Sequence, residues 1–191
     1  MMVLSDIFLQ MKGRRNTMAN IVKCYKQQIP ATRFIGKKYG DSDRVDGMFG
    51  KHWGDWFANG WFDVIEKQLD GQSLKSVYED GDAYIGLMRC KEGEPFEYWI
   101  GIFMPQGTEV PDGYDSIDFD AATLGVAWIK GPEAELYGHE DECFQRMEQK
   151  DMHMLPDKAG AWWFFERYGC PRFTTPDENG HVTLDICAFV G

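Results

Sequence analysis

The chain has 191 residues, and its 31 Asp and Glu outnumber its 20 Lys and Arg, for a net charge of −11. This acidic excess argues against direct binding to a nucleic-acid backbone, because that binding needs clustered basic side chains. The apolar fraction of 43 %, which includes seven Trp, is enough for the core of a globular domain.

The cysteines and histidines indicate neither a disulfide framework nor a metal site. The five cysteines are widely spaced and form no C-x-x-C pair, which favours reduced thiols in a cytoplasmic protein. The four histidines show no recognised ligand spacing, and the chain lacks Gly-rich nucleotide motifs. We therefore predict no metal and no cofactor. No apolar run reaches transmembrane length, so no membrane association is expected.

The N-terminal segment does not resemble a signal peptide. Its apolar part, Val3 to Met11, is broken by Ser5 and Asp6, and its basic residues follow the apolar part. A second start-like stretch begins at Met18. We expect residues 1–19 to be an accessory, poorly ordered extension and 20–191 to form one domain.

The first half of the domain predicts strand, helix, strand, strand. Residues 20–40 are one long edge strand bent at Pro30, or two short strands. From Met48 to Leu69, apolar residues recur at helical steps, and Gly71 follows as a helix stop. A hairpin comes next, with strands at 83–89 and 96–104 around the loop "KEGEP".

The second half repeats this order. The stretch "IDFDAATLGVAWIKG" is predicted as one strand, and Pro132 opens a helix with an apolar stripe at Leu136, Tyr137, Phe144 and Met147. Residues 161–168 and 181–190 are the last two strands. We predict an α+β fold: two strand–helix–strand–strand repeats, 20–105 and 116–191, join in one antiparallel sheet. A helix from each repeat packs on this sheet, with a central cleft between the repeats.

Glu166 is the main candidate site residue, because it lies in the aromatic run "WWFFERYG". Strand alternation puts it on one face with Trp162, Phe164 and Tyr168. An inward-facing carboxylate among aromatic rings would suit an organic cation or acid–base chemistry. The alternative is a solvated edge, where Glu166 pairs with a cross-strand Lys or Arg.

Other aromatic residues are candidates for the same cleft. Aligning the two halves sets Tyr98 level with Leu184 and makes it the inward residue of its strand. The helix aromatics are mostly core, with Trp61 preferred as the one that reaches the cleft. The full predicted ligand-binding set is Glu166, Tyr168, Phe164, Trp162, Tyr98, Trp128, Tyr137 and Trp61.

Three stretches carry a resemblance to a known family: "IPATRFIGKKYG", "EYWIGIFMPQGTEVPDGY" and "FERYGCPRFTTPDENGHVTLDICAFV". Over residues 20–191 the chain resembles the GyrI-like (gyrase-inhibitor-like) small-molecule-binding domain. This is the effector-binding domain of AraC-type and multidrug-sensing regulators. The resemblance implies two repeats around a cleft, in which a buried glutamate matching Glu166 and nearby aromatics bind hydrophobic, often cationic, molecules.

The resemblance leaves three functions open. The first is a stand-alone module that binds a hydrophobic or cationic small molecule, because nothing before Asn20 predicts a helix-turn-helix. The second is a hydrolase that opens strained cyclopropane rings of DNA-alkylating compounds, with Glu166 and Tyr168 as the catalytic residues. The third is a gyrase-inhibitor-like interaction with a basic protein partner. A homodimer is compatible with all three.

Overall fold

The structure, a computed structural model, describes residues 19–69 and 74–191. The predicted extension therefore lies outside the described residues apart from Ala19, and so do Met18 and the helix stop at Gly71. In the described part, no helix is long and apolar enough to cross a membrane.

The described residues form eight strands and three α-helices. In repeat one they are β1 (Asn20–Ile29), β2 (Thr32–Tyr39), α1 (Gly50–Ala58), α2 (Trp61–Glu66), β3 (Tyr84–Cys90) and β4 (Glu97–Pro105). Repeat two has β5 (Asp115–Phe119), β6 (Ala122–Gly131), α3 (Glu140–Glu148), β7 (Trp162–Tyr168) and β8 (Val182–Val190). Short 3-10 turns lie at Asp41–Asp43, Lys67–Leu69, Leu74–Ser76 and Glu133–Glu135.

All eight strands lie in one antiparallel sheet, in the order β1-β6-β8-β7-β3-β4-β2-β5. The predicted α+β class is confirmed. The counterparts in the two repeats are β1 and β5, β2 and β6, β3 and β7, and β4 and β8. If each strand is replaced by its counterpart, the same order is obtained when it is read from the other end. A pseudo-twofold axis therefore passes between β3 and β7.

Each repeat begins with a strand that crosses to the other repeat. Of the two sequence alternatives for residues 20–40, two strands is the correct one: β1 pairs with β6, whereas β2 pairs with β4 and β5. Pro30 lies at the crossover, where its missing N–H interrupts no ladder. The single strand predicted from Ile117 to Gly131 is wrong for the matching reason: β5 pairs with β2 and β6 with β8.

The predicted helices are shorter and more broken than their apolar stripes suggested. The first is divided at Gly60, whose left-handed backbone (φ 62°) ends α1 and starts α2. The second begins at Glu140, because Gly138 has a positive φ of 81°. Leu136 and Tyr137 therefore precede α3, and Pro132 lies outside it.

The two faces of the sheet are covered in different ways. The helices pack on one face, which we call the helix face. On the other face, the back face, the sheet curls so that Phe119 of edge strand β5 meets strands of the central and opposite regions. Its ring lies 5.8 Å from Phe103, 5.4 Å from Trp163 and 5.0 Å from Phe189, between ring centroids. This curvature buries a second aromatic core without a helix.

Candidate functional site

Glu166 lies on the pseudo-twofold axis, at the junction of the repeats. In the sheet it pairs directly with Gly86. Gly86 is opposite Ile100 in repeat one, and Glu166 is opposite Ile186 in repeat two. Ile100 and Ile186 are equivalent in the alignment of the two halves that sets Tyr98 level with Leu184. Glu166 and Gly86 therefore occupy the same position in their repeats, and only one of them carries a side chain.

The glycine is what makes room for this acid. A Cβ at residue 86 would lie 2.4 Å from the Tyr98 hydroxyl oxygen and 3.0 Å from Glu166 Oε2. Any larger residue would therefore displace the contact between these two side chains. An isolated glycine within a predicted strand is a known sign of such close approach, so the sequence did contain a signal for Gly86.

Glu166 is buried with an exposure of 6 %, and the described residues offer it no Lys or Arg partner. The predicted alternative of a solvated edge is therefore excluded. The Tyr98 and Tyr168 hydroxyls both donate to Oε2, at 3.1 and 2.9 Å. Within the part of the chain that the structure describes, no donor reaches Oε1.

A chain of hydrogen bonds extends from the acid into α1. The Trp53 indole N–H donates to the Tyr98 hydroxyl at 3.0 Å, and that hydroxyl donates to Glu166. Phe49 stacks on the Tyr98 ring at 4.2 Å, and Trp53 meets the Tyr168 ring edge to face at 4.7 Å. Repeat one thus supplies an aromatic wall above the carboxylate.

Repeat two supplies a polar wall from the segment around the start of α3. Burial, and then the nearby charge of Glu166, raise the phenol pKa of Tyr137. Glu140 also lies close enough for its charge to act on Glu166. Within residues 138–142, His139 is buried and Glu140 half-buried, whereas the Glu142 side chain is 66 % exposed.

The environment of Glu166 disfavours its charge. Burial, and then the charge of Glu140, raise its pKa to about 7, although hydrogen bonds from Tyr168 and Tyr98 act in the opposite direction. Burial and the adjacent Glu166 raise the phenol pKa values of Tyr98 and Tyr168 well above the ordinary value. Both tyrosines therefore remain protonated donors, while Glu166 can gain or lose a proton near neutral pH.

The structure brings together only part of the predicted set. Tyr98, Tyr168 and Tyr137 surround Glu166, and Phe164 lies two residues before it on the same strand face, in ring contact with Phe144. Trp162 shares that face, but four residues along the strand place it roughly 13 Å away.

Two predicted aromatics lie elsewhere. Trp128 packs in the back-face core, where its ring meets Tyr25 and the guanidinium of Arg172. Trp61 lies against Trp56 and under the Lys37 ammonium. The helix residue that does reach the site is Trp53. The apolar periodicity of the helix does not indicate which of Trp53 and Trp61 points to the site.

No group of three or more His, Cys, Asp and Glu side chains suited to a metal ion occurs among residues 19–69 and 74–191.

Several solved structures share the fold of this chain. No protein-family model and no curated protein matches it. SAV2435, solved with bound tetraphenylphosphonium, aligns with a TM-score of 0.60 at 15 % identity, over 89 % of this chain and 94 % of that one. A transcription-regulation protein of Staphylococcus aureus MU50 gives 0.57 at 16 % identity, over 88 % and 97 %. The EcmrR C-terminal domain gives 0.53 at 13 % identity, over 88 % and 97 %.

Proposed function

We propose that this chain, which has the GyrI-like fold, binds hydrophobic organic cations at the junction of its repeats, with Glu166 as the counter-ion. The observation that carries the proposal is a buried carboxylate with one open oxygen, aromatic neighbours and no cationic partner among the described residues. The ligand would supply the positive charge that no described Lys or Arg provides next to Glu166. SAV2435, which shares the fold, was solved with such a cation.

The residues around the acid have separate roles in this proposal. Tyr98 and Tyr168 hold Oε2 and so orient Oε1. Trp53 and Phe49 provide apolar ring surface that covers a ligand and excludes water.

The five thiols are unpaired, which supports a cytoplasmic protein. The chain would serve as the ligand-binding part of a sensing or sequestering system.

Binding of tetraphenylphosphonium to the wild type and to Glu166→Gln tests this proposal. We expect calorimetry at pH 8 to show a loss of about tenfold or more in the variant, because the amide is isosteric but neutral. Glu97→Gln is the matched control: Glu97 also lies on the sheet, but it pairs with Arg89. Equal affinity in all three proteins would contradict the proposal.

A second candidate function is acid–base hydrolysis, and the pKa of Glu166 near 7 favours it. In this case Glu166 would activate water and Tyr168 would orient the substrate. The same two proteins decide this as well. If wild type converts a cyclopropane-bearing alkylator to its ring-opened product above the Glu166→Gln background, the site is catalytic. No such excess would leave binding as its function.

A further inference from the structure

A second carboxylate, that of Glu140, lies close enough to Glu166 for its charge to act on that acid. It is the first residue of α3, and Phe144, one helical turn later, contacts Phe164 with ring centroids 5.3 Å apart. Residues four apart lie on the same helix face, and Phe164 and Glu166 lie on the same strand face. Glu140 is therefore on the side of α3 that faces β7, near the acid at the centre of the site.

The protein offsets the two carboxylate charges only in part: Tyr98 and Tyr168 donate to Glu166, and backbone hydrogen bonds at Glu140 and Gly138 favour the charge of Glu140. Among the described residues, no Lys or Arg acts on Glu166 or Glu140, and the one basic group near Glu140 is His139. His139 in turn pairs with Glu142, at 3.0 Å. Burial, and then the neighbouring Asp141, raise the pKa of Glu140. The charge of half-buried Glu140 acts against that of buried Glu166, so a positive charge from a ligand would stabilise each acid.

The residues around Glu166 differ in kind between the two repeats. Repeat one contributes aromatic rings, chiefly Trp53 and Phe49, and repeat two contributes Tyr137 and Glu140. A ligand bound beside Glu166 would therefore meet ring surface from repeat one and a carboxylate from repeat two. A single charge can neutralise only one of the two acids.

We infer that the preferred ligand is an aromatic dication, with one charge bound by Glu166 and the second by Glu140. This inference rests on the proposed function and specifies its ligand class. It assigns Glu140 as the residue that selects dications over monocations of similar ring structure.

Ethidium and propidium are suitable probes, because they share a phenanthridinium ring and propidium adds a quaternary ammonium on a short arm. Fluorescence titration at pH 8 gives their dissociation constants for wild type, Glu140→Gln, Glu142→Gln and Glu166→Gln. Glu142→Gln is the matched control: it removes the same charge from the same helix, at a side chain that is 66 % exposed.

We expect wild type to bind propidium about tenfold more tightly than ethidium. Glu140→Gln should reduce this ratio to about two while ethidium binding is kept or improved, since removing the nearby charge helps Glu166 to ionise. Retained ethidium binding also shows that the variant is folded. Glu142→Gln should keep the wild-type ratio, because it removes the same charge as Glu140→Gln but at a side chain that is 66 % exposed.

Two contrary results have different meanings. If Glu140→Gln and Glu142→Gln lower the ratio equally, or if wild type shows no preference, dication selection by Glu140 is refuted and the cation site stands. If Glu166→Gln binds both probes as tightly as wild type does, the proposed function itself fails, and the inference fails with it.

Discussion

At the residue scale, the decisive feature is one carboxyl group held in a place that disfavours its charge. Two tyrosine hydroxyls stabilise the carboxylate of Glu166, but burial and the charge of Glu140 outweigh them. The opposite position on the axis is Gly86, which leaves the space that Tyr98 needs to reach Oε2. The site is therefore asymmetric in chemistry although the backbone around it is nearly symmetric.

This pKa shift predicts a stability that depends on pH. The folded protein keeps the Glu166 proton up to about pH 7, whereas the unfolded chain releases it near 4.5. The protonated carboxyl therefore favours the folded state fully below 4.5, and this contribution is lost as the pH rises to 7. A shift of this size corresponds to about 3 kcal/mol.

Urea unfolding of wild type and Glu166→Gln between pH 4.5 and 8 measures the effect. Wild type should lose about 3 kcal/mol relative to the variant over this range, because the amide does not titrate. The titration of groups remote from Glu166 cancels in the comparison. A difference between the two proteins that stays constant with pH would contradict the shift.

At the element scale, the back of β7 and β8 is joined by a buried ionic network. Arg167 donates to Asp185 at 2.9 Å, and Arg172 donates to Asp80 at 2.8 Å and to Asp185 at 2.9 Å. Two arginines thus meet two aspartates, so the charges balance. Arg167 is adjacent to Glu166 in sequence, but strand alternation sends it to the opposite face, where it cannot neutralise the acid.

We predict that Asp185→Asn destabilises the fold strongly. Asp185 is fully buried, and its loss leaves the buried Arg167 and the partly buried Arg172 with a single carboxylate, which should cost about 3–5 kcal/mol. Asp118→Asn is the control: it breaks the Arg33–Asp118 pair, in which the Asp118 side chain is 49 % exposed, and should cost less than about 1 kcal/mol. Urea unfolding at pH 7 distinguishes them, and equal losses would show that the network adds nothing.

At the scale of the whole molecule, the exchanged strands join the two repeats. Strand β1 comes first in repeat one but pairs with β6 of repeat two, from Asn20 opposite Lys130 to Ile29 opposite Ala122. Strand β5 makes the equivalent exchange with β2. We therefore predict that the two repeats do not fold independently, because each lacks an edge strand that the other supplies.

Separate expression of residues 19–105 and 115–191 tests this dependence. We expect neither fragment alone to give the dispersed amide spectrum of a folded protein, since each would leave the back-face core and a sheet edge uncovered. Mixing the fragments should restore that spectrum. The control is the full chain cleaved once within 106–114, which should remain folded. Cooperative unfolding of one isolated fragment would contradict the prediction.

The sequence by itself determined the class of the fold, the strand that carries Glu166 and the companions of that residue on its strand face. These follow from local periodicity, because alternation in a strand and apolar spacing in a helix are set by backbone geometry. The isolated glycine at 86 and the proline at 30 were also readable as local signals.

Only the tertiary structure decided which face of β7 is inward and which distant groups meet there. Trp53 rather than Trp61 reaches the acid, Trp128 lies on the back face, and Glu140 joins the site from another helix. These facts depend on the rotation of each helix about its axis and on the exchange of β1 and β5 between repeats. Both are set by packing between residues far apart in the chain, for which local periodicity carries no information.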